Sequence, residues 1–261
     1  MNEETARFRG TAALYGMQGL KILRNSSLTM AGIGGVGSWA AEAAVRAGIG
    51  RIRLLDHDVV SLTNCNRQLH AMSSTLGKPK VEVLAARLRD ISPDLAIRTE
   101  RVLITTDNIQ ELFPAQDAGG EFVIEAIDSM VSKAALVNHL KRSRFNFITS
   151  GGAGGKLSGM TVKTGDLAAA EQDPLLSRLR EILREQYGFT ATGSRKFGIR
   201  CVYIPAPRIR PADVNTPGEM QELYDCAGEE VKFGTSMAVT AALGLALAGE
   251  MIRRILASAH Q

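Results

Sequence analysis

The chain has 261 residues, of which 45% are apolar and 22% charged, and its formal net charge is +4. This composition excludes wholesale disorder, and the length suits one large α/β domain or one domain with an appendage. The mild positive charge is compatible with a polyanionic partner but does not require one.

The first half of the chain alternates short apolar runs with helical patterns, which is typical of βαβ units and a parallel sheet. We expect strands where an apolar run is short and bounded by turn residues, over 27–31, 52–55, 97–103, 122–127 and 145–149. Helices are expected between them, over 38–47, 80–90 and 133–141. The sequence therefore predicts a Rossmann-like, mostly parallel sheet with helices on both faces.

Beyond residue 160 the pattern changes. Extra strands are predicted over 160–163 and 200–204, with a charged helix over 173–186 between them, and 205–228 is predicted as a mobile loop because it is rich in Pro, Asp and Glu. We expect a single domain whose parts are a core over 1–160, a substrate-facing excursion with a flexible loop over 161–233, and a C-terminal helix over 234–261.

The segment 235–252 is nearly all apolar or small and is about as long as a membrane-spanning helix. Its many Ala and Gly residues lower its hydropathy, and Glu250 lies near one end. We therefore predict a buried core helix and no membrane association. The charged N-terminus lacks the apolar stretch of a signal peptide.

A glycine-rich turn separates the first strand from the first helix of this half. It reads Gly-Ile-Gly-Gly-Val-Gly, with glycines at Gly32, Gly34, Gly35 and Gly37. Such a turn lets phosphate approach the backbone, and the following helix N-terminus offers unpaired N–H groups. Asp56, at the end of the second strand, is placed to accept hydrogen bonds from ribose hydroxyls. Together these features predict a nucleotide site but leave ATP and NAD as alternatives.

Charged and amide side chains downstream favour ATP. They are Asp58, Asn64, Arg67, Gln68 and Lys80. A triphosphate carries more negative charge than the NAD pyrophosphate, so ATP chemistry needs extra cations and usually Mg²⁺. Arg67 and Lys80 supply cations, and Asp128, near the tip of the fourth strand, is a candidate Mg²⁺ ligand. Hydride transfer would need none of these groups.

At these positions the chain resembles the ubiquitin-activating-enzyme-like adenylyltransferases of the ThiF, MoeB and HesA type. The matching motifs are the glycine turn, the D-x-D strand end, N-x-x-RQ, the Lys of GKPK and the Asp of D-S. The resemblance implies a single ATP-binding adenylation domain in which Asp56 binds ribose. It also implies that Asn64, Arg67 and Lys80 contact the phosphates and that Asp128 coordinates Mg²⁺.

Further motifs, RFRGTAALYG, NRQLHA, EAIDS, TSGGAGG and DCAGE, resemble one branch of this family, the tRNA threonylcarbamoyladenosine dehydratases. This resemblance implies ATP-dependent cyclisation of threonylcarbamoyladenosine next to the tRNA anticodon, in a homodimer. Two alternatives stay open: adenylation of the C-terminus of a ubiquitin-like sulfur carrier, and an NAD-dependent oxidoreductase. Sulfur-carrier activators usually hold Zn²⁺ on four cysteines, whereas only two cysteines lie in the second half here.

The three cysteines are too scattered for a disulfide framework, so we expect the reducing cytoplasm. Cys226 is either a redox or relay residue that serves a sulfur-relay protein partner, or a buried small hydrophobe; both interpretations stay open. Cys65 and Cys201 are predicted to be buried. His70 is predicted to be a packing or hydrogen-bonding residue rather than a base.

Basic side chains are concentrated over 178–210. For a tRNA substrate, Arg195, Lys196 and Arg200 are the predicted phosphate contacts. The family resemblance also implies that an N-terminal arginine reaches the ATP site of the partner subunit, and Arg7 and Arg9 are the two candidates.

Overall fold

The computed structural model describes residues 3–190, 196–227 and 233–259. Within them one sheet contains seven strands: β1 (Ser27–Ala31), β2 (Arg51–Leu55), β3 (Ala96–Glu100), β4 (Glu121–Glu125), β5 (Asn146–Ser150), β6 (Lys163–Asp166) and β7 (Arg200–Tyr203). Across the sheet the order is β3-β2-β1-β4-β5-β7-β6. Only the β6–β7 pair is antiparallel among these strands. The prediction of a mostly parallel sheet with extra strands is confirmed.

The helices of the described residues cover both faces of this sheet. They are α1 (Glu3–Arg7), α2 (Arg9–Asn25), α3 (Gly37–Arg46), α4 (Lys80–Ile91), α5 (Ile109–Leu112), α6 (Met130–Arg142), α7 (Pro174–Tyr187), α8 (Pro217–Ala227) and α9 (Met237–Ser258). One apolar cluster joins α2, α3, α4 and α9 to the sheet, and a second joins α5, α6 and α7 to the opposite face. Because successive side chains of a strand point to opposite faces, Val202 lies in the first cluster and Cys201 in the second.

Most strand boundaries lie within one or two residues of the prediction, and those of β3 and β6 differ most. β3 ends at Glu100 rather than at residue 103, since its partner β2 ends at Leu55 and the register pairs these two residues. The strand predicted over 160–163 instead runs over Lys163–Asp166, because antiparallel pairing with β7 sets its position. Edge-strand positions of this kind depend on a partner that is distant in sequence.

The prediction of a mobile loop over 205–228 is wrong in its second half, where α8 forms. Pro217 occupies the first turn of α8, where its missing N–H costs nothing. Thr216 and Glu219 cap this end reciprocally: the Thr216 N–H donates to Glu219 Oε2 at 2.7 Å, and the Glu219 N–H donates to Thr216 Oγ1 at 3.4 Å. The Thr-Pro-Gly-Glu sequence was the signal for this capping box.

Helix α9 packs in the core, as predicted. Val239, Leu243, Leu247 and Met251 recur every four residues and are all buried. At Gly244 a Cβ atom would lie 2.8 Å from Trp39 Cβ, so glycine is needed where α9 crosses α3. Of the helices that the structure describes, none is both long enough and apolar enough to span a bilayer.

Candidate active site

A cavity of about 400 Å³ lies beyond the carboxyl ends of β1, β2, β4 and β5. The chain passes from β1 to β2 and β3 on one side of the sheet and then crosses to β4 and β5 on the other side of β1. The cavity therefore lies at the point where the strand order reverses, and open α/β sheets bind ligands at such a point. Many of the predicted site residues line it: Gly32, Gly34, Gly35, Asp56, Asp58, Asn64, Arg67, Gln68, Lys80 and Asp128. Folding therefore gathers segments that are up to about a hundred residues apart in sequence.

The glycines of the turn have two different functions. Gly32 has φ of +85°, a left-handed conformation that favours glycine. Gly37 does not line the cavity; a Cβ there would collide with the Gly32 carbonyl oxygen, so the residue is needed for close packing. Gly34 faces the cavity, and the nearest atom to an added Cβ is Gln68 Nε2 at 3.9 Å. Of the four glycines of the turn, Gly34 therefore leaves the most space for a ligand beside the backbone.

The Asp56 carboxylate fixes the turn against the end of β2. Its Oδ2 accepts a hydrogen bond from the Ile33 N–H at 2.9 Å, and its Oδ1 accepts one from the Asp58 N–H at 3.0 Å. A carboxylate has about four acceptor positions, so both oxygens retain capacity for ribose hydroxyls. Asp56 thus shapes the glycine turn and still has free acceptor positions that face the cavity.

The two cations predicted for the site, Lys80 and Arg67, line the cavity in different environments. Lys80, at the start of α4, is only 4% exposed, and its Nζ lies 2.6 Å from Asp58 Oδ2. Arg67 donates to the Thr63 carbonyl at 2.6 Å. Burial lowers the pKa of Arg67 below its ordinary value, while the Asp128 carboxylate acts in the opposite direction. Positive charge of this kind, partly removed from water, interacts strongly with a phosphate.

Asp128 lies in the loop after β4 and is exposed to the cavity. The loop is held by a fully buried ion pair in which Lys133 Nζ lies 2.7 Å from Glu125 Oε2. Glu125 Oε1 also accepts the Ile127 N–H at 3.0 Å. The sequence analysis did not predict this pair; its signal was a carboxylate directly after the three apolar residues of β4.

The carboxylates of the cavity fit a magnesium ion chemically. Mg²⁺ is commonly bound by one or two carboxylates together with substrate phosphates and water, so an exposed Asp128 beside a phosphate site is a suitable donor. A second group of potential ligands brings Asp56, His57 and Asp58 within 4.8 Å of one another. Within this group, Asp58 Oδ2 is already paired with Lys80 Nζ.

The cysteine predictions have mixed outcomes. Cys201 is fully buried, and burial raises the pKa of its thiol to about 12, which confirms an inert packing residue. Cys65 is exposed, so the prediction that it is buried is wrong; it lies in the surface segment between Asn64 and Arg67 rather than on a core face. Cys226 falls within α8, but its side chain lies outside the described residues.

His70 is fully buried, and neither ring nitrogen has a hydrogen-bond partner among the described residues. Burial, with a smaller contribution from Lys80, lowers the pKa of His70 to about 4. The ring is thus buried and is not part of the cavity lining, which agrees with the prediction of a packing residue rather than a base.

Of the predicted tRNA and partner-site cations that the structure describes, none lines the cavity. Arg195 is not among the described residues, and Lys196 is exposed. Arg200 is held by Glu250 at 2.7 Å, within an ion pair that ties β7 to α9. Arg7 donates to the carbonyl of Ile91 at 3.1 Å. Arg9 is exposed on α2.

Comparison with known proteins identifies the family. The model of the ThiF family matches residues 8–261. The chain belongs to the ThiF family. This ThiF-family chain is 38% identical over 259 residues to the tRNA threonylcarbamoyladenosine dehydratase of Escherichia coli (strain K12), covering 97% of this chain and 94% of the relative.

Solved structures extend the similarity to the whole fold. Crystal structures of the E. coli tRNA N6-threonylcarbamoyladenosine dehydratase TcdA in complex with AMP and with ATP each have a TM-score of 0.86 and 36% identity to this ThiF-family chain. Each match covers 98% of this chain and 96% of the other. The α/β fold and the adenylyltransferase family expected from the sequence are confirmed.

Proposed function

We propose that this chain is an ATP-dependent tRNA threonylcarbamoyladenosine dehydratase that works by carboxylate adenylation. The observation that carries the proposal is one cavity in which the glycine turn, Arg67, Lys80 and Asp128 meet. The similarity to dehydratase structures with bound AMP and ATP, over nearly the whole chain, supports it. We regard the chain as a single ATP-binding adenylation domain.

The reaction divides into two steps. A carboxylate oxygen of the threonyl group attacks the α-phosphorus of ATP, the bond from this phosphorus to the bridging oxygen breaks, and pyrophosphate leaves. The neighbouring ureido group then attacks the activated carbonyl carbon and loses a proton, and AMP leaves with the bonding electron pair. Overall, the nucleoside loses the elements of water. One oxygen of its carboxylate leaves on the phosphate of AMP. No protein nucleophile is required.

The residues of the cavity act by binding and charge stabilisation. Negative charge grows on the phosphate oxygens as pyrophosphate departs, and N–H groups of the turn with Arg67 and Lys80 stabilise it without rearranging. Asn64 and Gln68 supply amide groups at the same wall, and Asp56 holds the ribose. The fixed position of these groups is important because their benefit depends on preorganisation.

Asp128 is our candidate ligand for Mg²⁺, which would neutralise phosphate charge during adenylyl transfer. We further propose that tRNA binds the basic surface around Arg195, Lys196 and Arg200, that the active form is a homodimer in the cytoplasm, and that Cys226 serves a sulfur-relay partner. Since Arg200 is ion-paired with Glu250, it would have to share its guanidinium with a phosphate.

The other candidate functions have less support. Enzymes that adenylate a sulfur carrier usually hold zinc on four cysteines, whereas the second half of this chain contains only Cys201 and Cys226. Hydride transfer to or from a nicotinamide cofactor would give Arg67, Lys80 and Asp128 no role.

The test is turnover of tRNA that carries threonylcarbamoyladenosine, followed by mass spectrometry of its nucleosides. With ATP and Mg²⁺ the wild-type protein should yield the cyclised nucleoside and AMP, and it should bind ATP rather than NADH. Asp128→Asn should abolish turnover without changing thermal stability, whereas the matched control Asp94→Asn, on an exposed turn before β3, should leave it intact. Binding of NADH with no AMP formed would refute the proposal.

A further inference from the structure

The cavity has a second end that the nucleotide residues do not occupy. The glycine turn and Asp56 follow β1 and β2, whereas Gly151, Gly152, Ala153 and Gly154 follow β5 on the other side of β4 and also line the cavity. A nucleotide held at the first end leaves the second end for the group that is to be adenylated. Arg208 and Leu175 complete the lining there.

The Arg208 guanidinium has a fixed orientation and, within the described part of the chain, an unused donor. Its guanidinium lies over the ring of Phe233, with 4.5 Å between the guanidinium carbon and the ring centroid. Its buried Nε has no hydrogen-bond partner among the described residues. A buried donor without a partner costs free energy, which a bound acceptor would recover. Stacking on Phe233 fixes the plane of the guanidinium without using its N–H groups.

Neighbouring arginines are already engaged within the protein. Arg178 is paired with Glu181, Arg180 donates to the carbonyl of Ala170, and Arg210 is paired with Asp213. Of the arginines over 178–210 that the structure describes, Arg208 is the one that lines the cavity. Its charge therefore faces the site.

The loop after β5 is built to accommodate this side chain. A Cβ at Gly152 would lie 3.1 Å from Arg208 Nη2, so the absence of a side chain lets the guanidinium approach the backbone. The loop is also anchored: Asp173 Oδ2 accepts the Gly152 N–H at 3.1 Å and lies 2.6 Å from Nζ of the fully buried Lys156. The position of Arg208 relative to the cavity is thus defined by rigid surroundings.

We infer that Arg208 binds the carboxylate of the threonylcarbamoyl group and holds it towards the α-phosphate of ATP, an inference that rests on the proposed function. A guanidinium edge with two N–H groups matches a carboxylate in a bidentate arrangement. It also offsets the repulsion between this carboxylate and the triphosphate. Among the described residues, the cations Arg67 and Lys80 belong to the nucleotide end, which leaves Arg208 for the acyl substrate.

The experiment uses the full chain with Arg208→Met, Arg208→Lys and the matched control Arg89→Met, which removes one exposed charge on α4 away from the cavity. Cyclisation kinetics, the Kd for ATP and the Kd for tRNA with and without the threonylcarbamoyl group are measured. Arg208→Met should lower kcat/KM roughly 10- to 100-fold, the usual effect of losing a hydrogen bond to a charged group. Arg208→Lys should retain part of the activity, and Arg89→Met should match wild type.

Two selectivity measurements separate this inference from a structural role or a phosphate contact. Affinity for ATP and for unmodified tRNA should stay unchanged in Arg208→Met, while the preference for threonylcarbamoylated tRNA shrinks. Equal loss for both tRNAs would assign Arg208 to the tRNA backbone, and weaker ATP binding would assign it to the nucleotide; either result overturns the inference. If wild type and Arg208→Met cyclise equally well, only this inference fails; if wild type does not cyclise, the proposed function fails with it.

Discussion

Replacing Gly37 by alanine tests whether the glycine turn is a close-packed structure. The added methyl group would collide with the carbonyl oxygen of Gly32 and lie 3.0 Å from its carbonyl carbon, inside the ~3.5 Å at which non-bonded heavy atoms attract. The obstacle is backbone, which cannot turn aside as a side chain can. Overpacking of this kind costs about 3 kcal/mol, and the better helix propensity of alanine at the start of α3 recovers about 1 kcal/mol.

The expected net loss is therefore about 2 kcal/mol, which corresponds to a fall in Tm of roughly 4–8 °C for a chain of this size. Gly34→Ala is the matched control, because the nearest atom to its Cβ is 3.9 Å away. It should melt like wild type but bind ATP at least ~10-fold more weakly, about 1.4 kcal/mol, since the methyl group enters the cavity. Calorimetric melting and ATP titration separate the two effects. A Gly37→Ala variant that melts with wild type would refute the packing argument, and a Gly34→Ala variant with wild-type ATP affinity would refute the phosphate-binding role.

Two further predictions concern buried ionisable groups. Lys133→Met should destabilise the protein by about 3–5 kcal/mol in urea unfolding, because it leaves the charge of Glu125 buried and unpaired. The double variant Glu125→Gln/Lys133→Met should recover part of this loss. A Lys133→Met variant as stable as wild type would contradict the argument. The pKa of His70 falls from 6.5 to about 4 in the folded chain. The unfolded chain thus binds a proton that the folded chain does not, so stability should fall as the pH drops from 6.5 towards 4, by on the order of 3 kcal/mol. His70→Leu should remove this part of the pH dependence, and an unchanged slope would show that other groups cause it.

The order of elements and much of the site followed from local sequence. Strand β1 has the predicted bounds of 27–31, because an apolar run before a glycine turn leaves few alternatives. The predicted nucleotide residues line one cavity because each lies at or just beyond the carboxyl end of a parallel strand, or in a segment that returns to that edge. Gly37 is the exception: it belongs to the motif, but its contact is with the backbone of Gly32.

The features that only the tertiary structure decided are those that depend on partners distant in sequence. The position of β6 is set by pairing with β7, and Arg200 was expected at a tRNA surface but is held by Glu250. Arg208 was one basic residue among several until folding placed it over Phe233. Local sequence determines backbone preference and the chemistry available, because both arise within a few residues. Which charge is neutralised inside the protein and which faces the substrate is decided by packing, because electrostatic and packing energies depend on distances that exist only in the folded chain.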